Sequence, residues 1–197
     1  MYQITDQARV GLHYRSEMSH TLKGTVSIVE LAASQPGTVD LDFPEMWSFG
    51  MAYDVTPQTT LLAGATRFGW SSYDTIRVLN PAGAVISNTP QNYKDTWAFN
   101  LGVEHAFNDT WTGRAGVQYD QTPTRDGFRS HTTPDGDRIW VSAGTTYNIN
   151  DKWSMDFAAT YIDIANEKIN LNRNGANIQA DTSGHIVIFG LALNYKF

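Results

Sequence analysis

His185–Phe197, HIVIFGLALNYKF, carries Val187, Phe189, Leu191, Leu193, Tyr195 and Phe197 at every second position, up to the last residue of the chain. Strict alternation marks a strand with one apolar surface. The ends of soluble domains more often fray into polar residues. An apolar face carried as far as Phe197 predicts a strand held along its whole length.

The same period recurs upstream. Trp47, Phe49, Met51, Tyr53 and Val55 alternate with Ser48, Gly50, Ala52 and Asp54, and Trp153, Met155, Phe157, Ala159 and Tyr161 alternate with Ser154, Asp156, Ala158 and Thr160. Helical periodicity is nearly absent. About nine strands are expected, near 7–15, 19–31, 45–55, 58–71, 95–107, 110–121, 137–149, 152–163 and 184–197, in a single domain over 1–197. They are longer than the usual strand of about 5–6 residues and suit a membrane crossing of about 9–11. Short turns are expected at Ser16–Met18, Asp54–Gln58, Asn108–Asp109 and Asn150–Asp151, and long polar loops at 32–44, 72–94, 122–136 and 164–183. Short turns at one end and long loops at the other are the habit of an antiparallel up-and-down transmembrane β-barrel.

Bulk composition neither requires nor forbids this. Mean hydropathy is −0.35, and no apolar run approaches the roughly 18 residues of a membrane helix. A net charge of −6 without a basic stripe excludes nucleic acid as a natural partner. Without cysteine there are no disulfides, thiolate metal sites or Cys nucleophiles. The N-terminal MYQITDQARVG has neither the basic nor the apolar region of a signal peptide, so an exported protein of this sequence is expected to be a mature form, a fragment or a truncated reading frame.

Aromatic placement separates a membrane barrel from a soluble one. Tyr14, Tyr53, Trp111, Tyr147, Trp153 and Tyr195 fall beside the expected short turns, whereas Trp47, Trp97, Tyr119 and Tyr161 fall toward the long loops. Two aromatic belts bracketing an aliphatic band are what two membrane interfaces select. The opposite faces hold Arg9, His13, Arg15, Lys23, Arg67, Glu104, Arg114, Asp120, Arg138 and Asp156 among Gly and Ala. A membrane barrel encloses such residues in a polar lumen. The last strand is expected to pair with the first, because an open edge in lipid leaves backbone groups unpaired.

RAGVQYDQTP (Arg114–Pro123), TPDGDRIWVSAGTTY (Thr133–Tyr147) and FGLALNYKF resemble the closing strands of the outer-membrane long-chain fatty-acid transporter (FadL-type) family, whose relatives carry aromatic hydrocarbons. GLHYRS (Gly11–Ser16), the Gly24 of LKGTV and FPEMWSFGMAY (Phe43–Tyr53) resemble earlier strands in the same order. The resemblance implies about nine strands of a larger, 14-stranded barrel in the bacterial outer membrane, with the family's N-terminal hatch absent from this stretch. It implies a hydrophobic small-molecule ligand, contact with outer-membrane lipid, and barrel-assembly machinery that reads Tyr195 and Phe197 as an assembly signal.

No enzyme motif is present: G-x-S-x-G, H-E-x-x-H and the P-loop pattern are all missing. The five histidines have no metal-ligand spacing, and Asp135-Gly136-Asp137 lacks the other ligand positions of a calcium loop. No cofactor or metal is expected. Arg67, Arg114 and Arg138 are the candidate lumen ligands, since a planar guanidinium suits a carboxylate. The plainer role for each is an ion pair with Glu104, Asp120 or Asp156. The function expected is passive uptake of hydrophobic molecules such as long-chain fatty acids or aromatic hydrocarbons. The alternative is a small barrel serving as a scaffold or adhesin through its loops.

Overall fold

The structure is a computed structural model that describes residues 1–28, 33–173 and 176–196. Phe197 therefore lies outside the described residues. Among the described residues, thirteen strands form two antiparallel sheets. The larger runs in the order β1(Tyr2–Gln3), β2(Ala8–Arg15), β5(Met46–Thr56), β6(Thr59–Phe68), β9(Thr96–Ala106), β10(Trp111–Asp120), β11(Arg138–Asn148), β12(Trp153–Arg173), β13(Ala176–Tyr195). The smaller runs β3(Met18–Ile28), β4(Ala33–Phe43), β7(Thr75–Leu79), β8(Val85–Pro90). The large sheet is a meander of the expected kind. Its two edges, β1–β2 and β13, do not pair with each other among the described residues, so the expected closure of last strand on first is not made within this chain.

Residues directly opposite in an antiparallel pair share a face, so the register fixes which side chains line up across the wall. One row runs Val10, Met51, Ala63, Leu101, Val117, Val141, Tyr161, Val187. The row one residue away, on the other face, runs Gly11, Gly50, Gly64, Asn100, Gln118, Trp140, Ile162, Ile186. On the first face Phe189 is 80% exposed and Leu101 63%, whereas Ala52, Ala98 and Ile162 on the second are 4%, 5% and 2%. The aliphatic and aromatic face is outermost, and the polar, glycine-rich face is inner.

The strand expected at 19–31 belongs to a different sheet. β2 ends at Arg15 opposite Met46, at the long-loop end of the wall, and the chain passes through Ser16–Glu17 into β3, which pairs with β4. The turn at Ser16–Met18 is therefore not at the short-turn end. Tyr14 moves with it: its ring lies 4.3 Å from that of Trp47, on the loop side. β3 is joined there by β4, β7 and β8, which arise from the segments expected as loops 32–44 and 72–94, and Lys23 sits in this sheet, away from the inner wall.

The segment 164–183, expected as a loop, continues β12 and β13 as a projecting hairpin with a bulge between Ile164 and Glu167. An extra residue in one strand reverses its inside–outside parity. Glu167, Ile169 and Leu171 thereby continue the inner face, where Ile169 and Leu171 are 3% and 7% exposed. Arg129, itself 2% exposed, ties the 121–137 connection to this hairpin, donating to Asp126 (2.8 Å), to the carbonyls of Asp135 (2.8 Å) and Lys168 (3.2 Å), and pairing with Glu167 at 3.3 Å.

Candidate functional site

The inner face carries two groups of charges separated by an uncharged band. Near the short turns, Arg114 donates through Nε to Glu104 (2.6 Å) and through Nη1 to the Thr146 hydroxyl (2.6 Å). Thr146 donates in turn to Asp156 (2.5 Å), whose other oxygen accepts from Asn194 Nδ2 (2.7 Å). One polar chain thus crosses β9, β10, β11, β12 and β13. Arg9 pairs with Asp54 at 2.9 Å on the same side, and Thr60 donates to the same carboxylate at 2.6 Å.

Near the loops, Arg138 donates from Nη2 to both oxygens of Asp135 (2.8 and 2.9 Å) and from Nη1 to Asp120 (3.2 Å). Asp135 also accepts from the Thr122 hydroxyl at 2.7 Å, while Asp137 accepts from the Thr122 amide at 2.8 Å and from the Tyr119 hydroxyl. The Asp-Gly-Asp segment is thereby engaged within its own loop, and no cluster suited to a metal ion occurs among the described residues.

Between the two groups lie two inner rows. The first contains Ala52, Leu62, Gly102, Gly116, Ser142, Thr160 and Ile188; the second contains Asn100, Gln118, Trp140, Ile162 and Ile186. Their small residues leave a depression of about 390 Å³ bordered by Leu62, Asn100, Gln118, Trp140 and Thr160, with Arg114 at its lower rim. Toward β12 and β13 the band becomes apolar: Ile186 and Ile188 are 45% and 47% exposed on the inner face. The terminal strand is thus apolar on both sides, which the alternation of its outer residues alone did not disclose.

The three candidate arginines are not brought together. Arg114 and Arg138 stand three inner rows apart, about 20 Å of strand. Arg67 is a correction: it lies opposite Trp47 on β5 and Trp97 on β9, so it belongs to the outer face and not to the lumen. Its guanidinium reaches up to Glu45 (2.9 Å) and Asp95 (2.5 Å) at the loop end. The Ser71 amide and hydroxyl, together with Arg67, hold the Asp95 carboxyl below its ordinary range, the Ser71 amide most of all, against a smaller effect of burial. Asp156 takes a hydroxyl and an amide rather than an arginine. Arg129 was not singled out from the sequence, and nothing in its neighbourhood signals its burial.

Tyr53, Trp111, Tyr147, Trp153 and Tyr195 lie at the short-turn ends of their strands, and Trp97 at the loop end of β9. Trp111 and Tyr147 rings are 4.6 Å apart, Trp153 and Tyr195 rings 4.7 Å.

A family model described as "Outer membrane protein transport protein (OMPP1/FadL/TodX)" matches residues 1–197. The long-chain fatty acid transport protein of Salmonella typhi is 30% identical over the whole chain, which covers 48% of that relative. A putative outer membrane protein of Neisseria meningitidis is 29% identical, with 49% of its length covered. Among solved structures, a FadL homologue of Pseudomonas aeruginosa superposes with a TM-score of 0.90 at 27% identity, over 98% of this chain and 50% of that one. The toluene transporter TodX of Pseudomonas putida shares the fold, with a TM-score of 0.63 at 20% identity. The chain spans about half the length of these relatives.

Proposed function

This chain belongs to the outer membrane transport protein family that contains FadL and TodX, and from that membership and its inner-face geometry we propose that the protein admits hydrophobic molecules passively across the outer membrane. Long-chain fatty acids and aromatic hydrocarbons are the ligand classes, in keeping with a fatty-acid transporter at 30% identity. The chain is an all-β, partial outer-membrane barrel, and family members are transporters or channels rather than enzymes.

The observation that carries the reading is the uncharged inner band. Most of the charges above and below it are paired within the wall, which lowers the cost of keeping them out of water. An apolar molecule crossing between them meets Leu62, Trp140, Ile186 and Ile188. The aromatic rows at the two strand ends act as interfacial anchors against outer-membrane lipid, and the terminal Tyr195 and Phe197 serve assembly.

The test places a charge in the band. Ile188→Glu sits on an exposed inner position, so the variant is expected to insert normally, as judged by heat-modifiable gel migration. Initial uptake of a radiolabelled long-chain fatty acid and of toluene by cells expressing the full-length protein should both fall severalfold. Unchanged uptake of both would sink the reading.

A further inference from the structure

Most guanidiniums of the inner face are occupied by carboxylates of the same wall. Arg9 holds Asp54, Arg114 holds Glu104, Arg138 holds Asp120 and Asp135, and Arg129 holds Asp126 and Glu167. To receive another carboxylate, each would first have to release its own. Arg15 differs. It lies on the inner face at the loop end of β2, opposite Met46, is exposed, and has no carboxylate partner among the described residues.

Below Arg15 on the same face come His13, opposite Ser48, and then Gly11. Gly11, Gly50 and Gly64 stand side by side on three neighbouring strands. The floor at that level is bare backbone, with the Met1 side chain beside its Gly11 end, 3.5 Å from where a Cβ at Gly11 would stand. A Cβ at Gly50 would meet nothing within 4 Å, whereas one at Gly64 would come within 2.8 Å of the Asn100 side chain, which closes the trench toward β9. The depression over these glycines measures about 510 Å³, with His13, Ser48 and Thr66 on its upper side and Ala52 and Leu62 on its lower. The Thr66 hydroxyl donates to that of Ser48 at 3.1 Å, so these two groups of the upper rim engage each other.

We propose that Arg15 is the headgroup-reading residue for a long-chain carboxylate, with His13 beside it and the alkyl chain lying over the Gly11–Gly50–Gly64 trench. The inference rests on the transport reading and adds to it which cation receives the anion. A free guanidinium offers two parallel N–H groups to a carboxylate, and charge-assisted pairs of this kind are about twice as strong as neutral hydrogen bonds. The order along β2, cation then imidazole then bare backbone, matches the order of an amphiphile, head then tail.

The test compares a long-chain fatty acid with the alcohol of equal chain length, binding each to purified full-length protein in detergent at neutral pH. Arg15→Gln should weaken the acid on the order of tenfold and leave the alcohol unchanged. Gly50→Leu, whose Cβ meets nothing within 4 Å and whose side chain fills the trench, should weaken both. Arg67→Gln, on the outer face, should leave both as they were. The proposal is overturned if Arg15→Gln weakens acid and alcohol equally or changes neither. Failure of the unmodified protein to bind either ligand would instead remove the transport reading, and this subsite with it.

Discussion

Arg67 and Trp97 stand opposite each other on the outer face, across β6 and β9. A charged side chain in a row of tryptophans is tolerable because its stem lies along the apolar surface while its head leaves it. Here the head reaches Glu45 and Asp95, which belong to the loop-end connections. The contact ties the end of β6 to the segment before β9, and Ser71 adds a backbone bond to the same carboxylate, 3.0 Å long. Arg67 is a strut of the outer rim.

That strut sets an acid limit. The folded Asp95 carboxyl titrates below its unfolded counterpart, so its contribution is full above the ordinary carboxylate range and is lost as pH falls through the depressed folded value. Pepsin digestion across about pH 2–5 should cut near Trp70–Tyr73 only at the acid end of the series. Asp95→Asn should be cut there throughout. Identical cleavage patterns for the two proteins would remove this role.

Facing can be tested with one charge on each side. Leu101, 63% exposed on the outer face, lies in the central row between Ala63 and Val117. Leu101→Arg should cost about 2–4 kcal/mol of folding stability in lipid, read from urea titration in liposomes. Gln118→Lys, on the inner face, should cost far less. The reverse order would turn the wall inside out.

The loop over β12 depends on Arg129. Arg129→Ala strips partners from the carbonyls of Asp135 and Lys168 and should cost about 1–3 kcal/mol locally. Limited trypsin digestion from outside whole cells should then cut at Arg125, while the strands stay protected. Protection of the Arg129 variant at Arg125 would show that these contacts do not hold the loop.

Tyr195 packs its ring against Trp153 at the short-turn end of β12 and β13. Tyr195→Ala, like Phe197→Ala, should lower the amount of full-length barrel in the outer membrane, measured by heat-modifiable migration. Lys196→Ala should not. Equal amounts for all three would take the assembly role away from the terminal residues.

The wall strands were legible because lipid on one side and an enclosed space on the other impose alternation that local sequence must obey. β3 was misplaced for the same reason. His20 and Leu22 alternate with Thr21 and Lys23, because a sheet outside the membrane also has two unlike faces, and alternation does not say which sheet a strand joins. Arg67 was misassigned where β6 reads Leu61, Leu62, Ala63, apolar on both sides, so that only its partners Trp47 and Trp97 fix the parity. The hairpin beyond Ile164 looked like a loop because strands clear of the lipid need no apolar stripe. For the candidate site, the arginines were found as residues, but their pairing partners lie on neighbouring strands and could not be read from spacing.

The aromatic residues of the short-turn end do not lie in one register row. Tyr53 on β5, Trp111 and Tyr147 on β10 and β11, and Trp153 and Tyr195 on β12 and β13 step down successive rows as the wall is followed. Six residues of descent over five strand spacings correspond to a strand inclination of about 40°. Depth in the bilayer is therefore constant along diagonals. The polar chain from Glu104 and Arg114 through Thr146 and Asp156 to Asn194 descends in the same sense and at a similar pitch. What looks oblique on the unrolled sheet is a level collar, lying just inside the aromatic residues of the short-turn end.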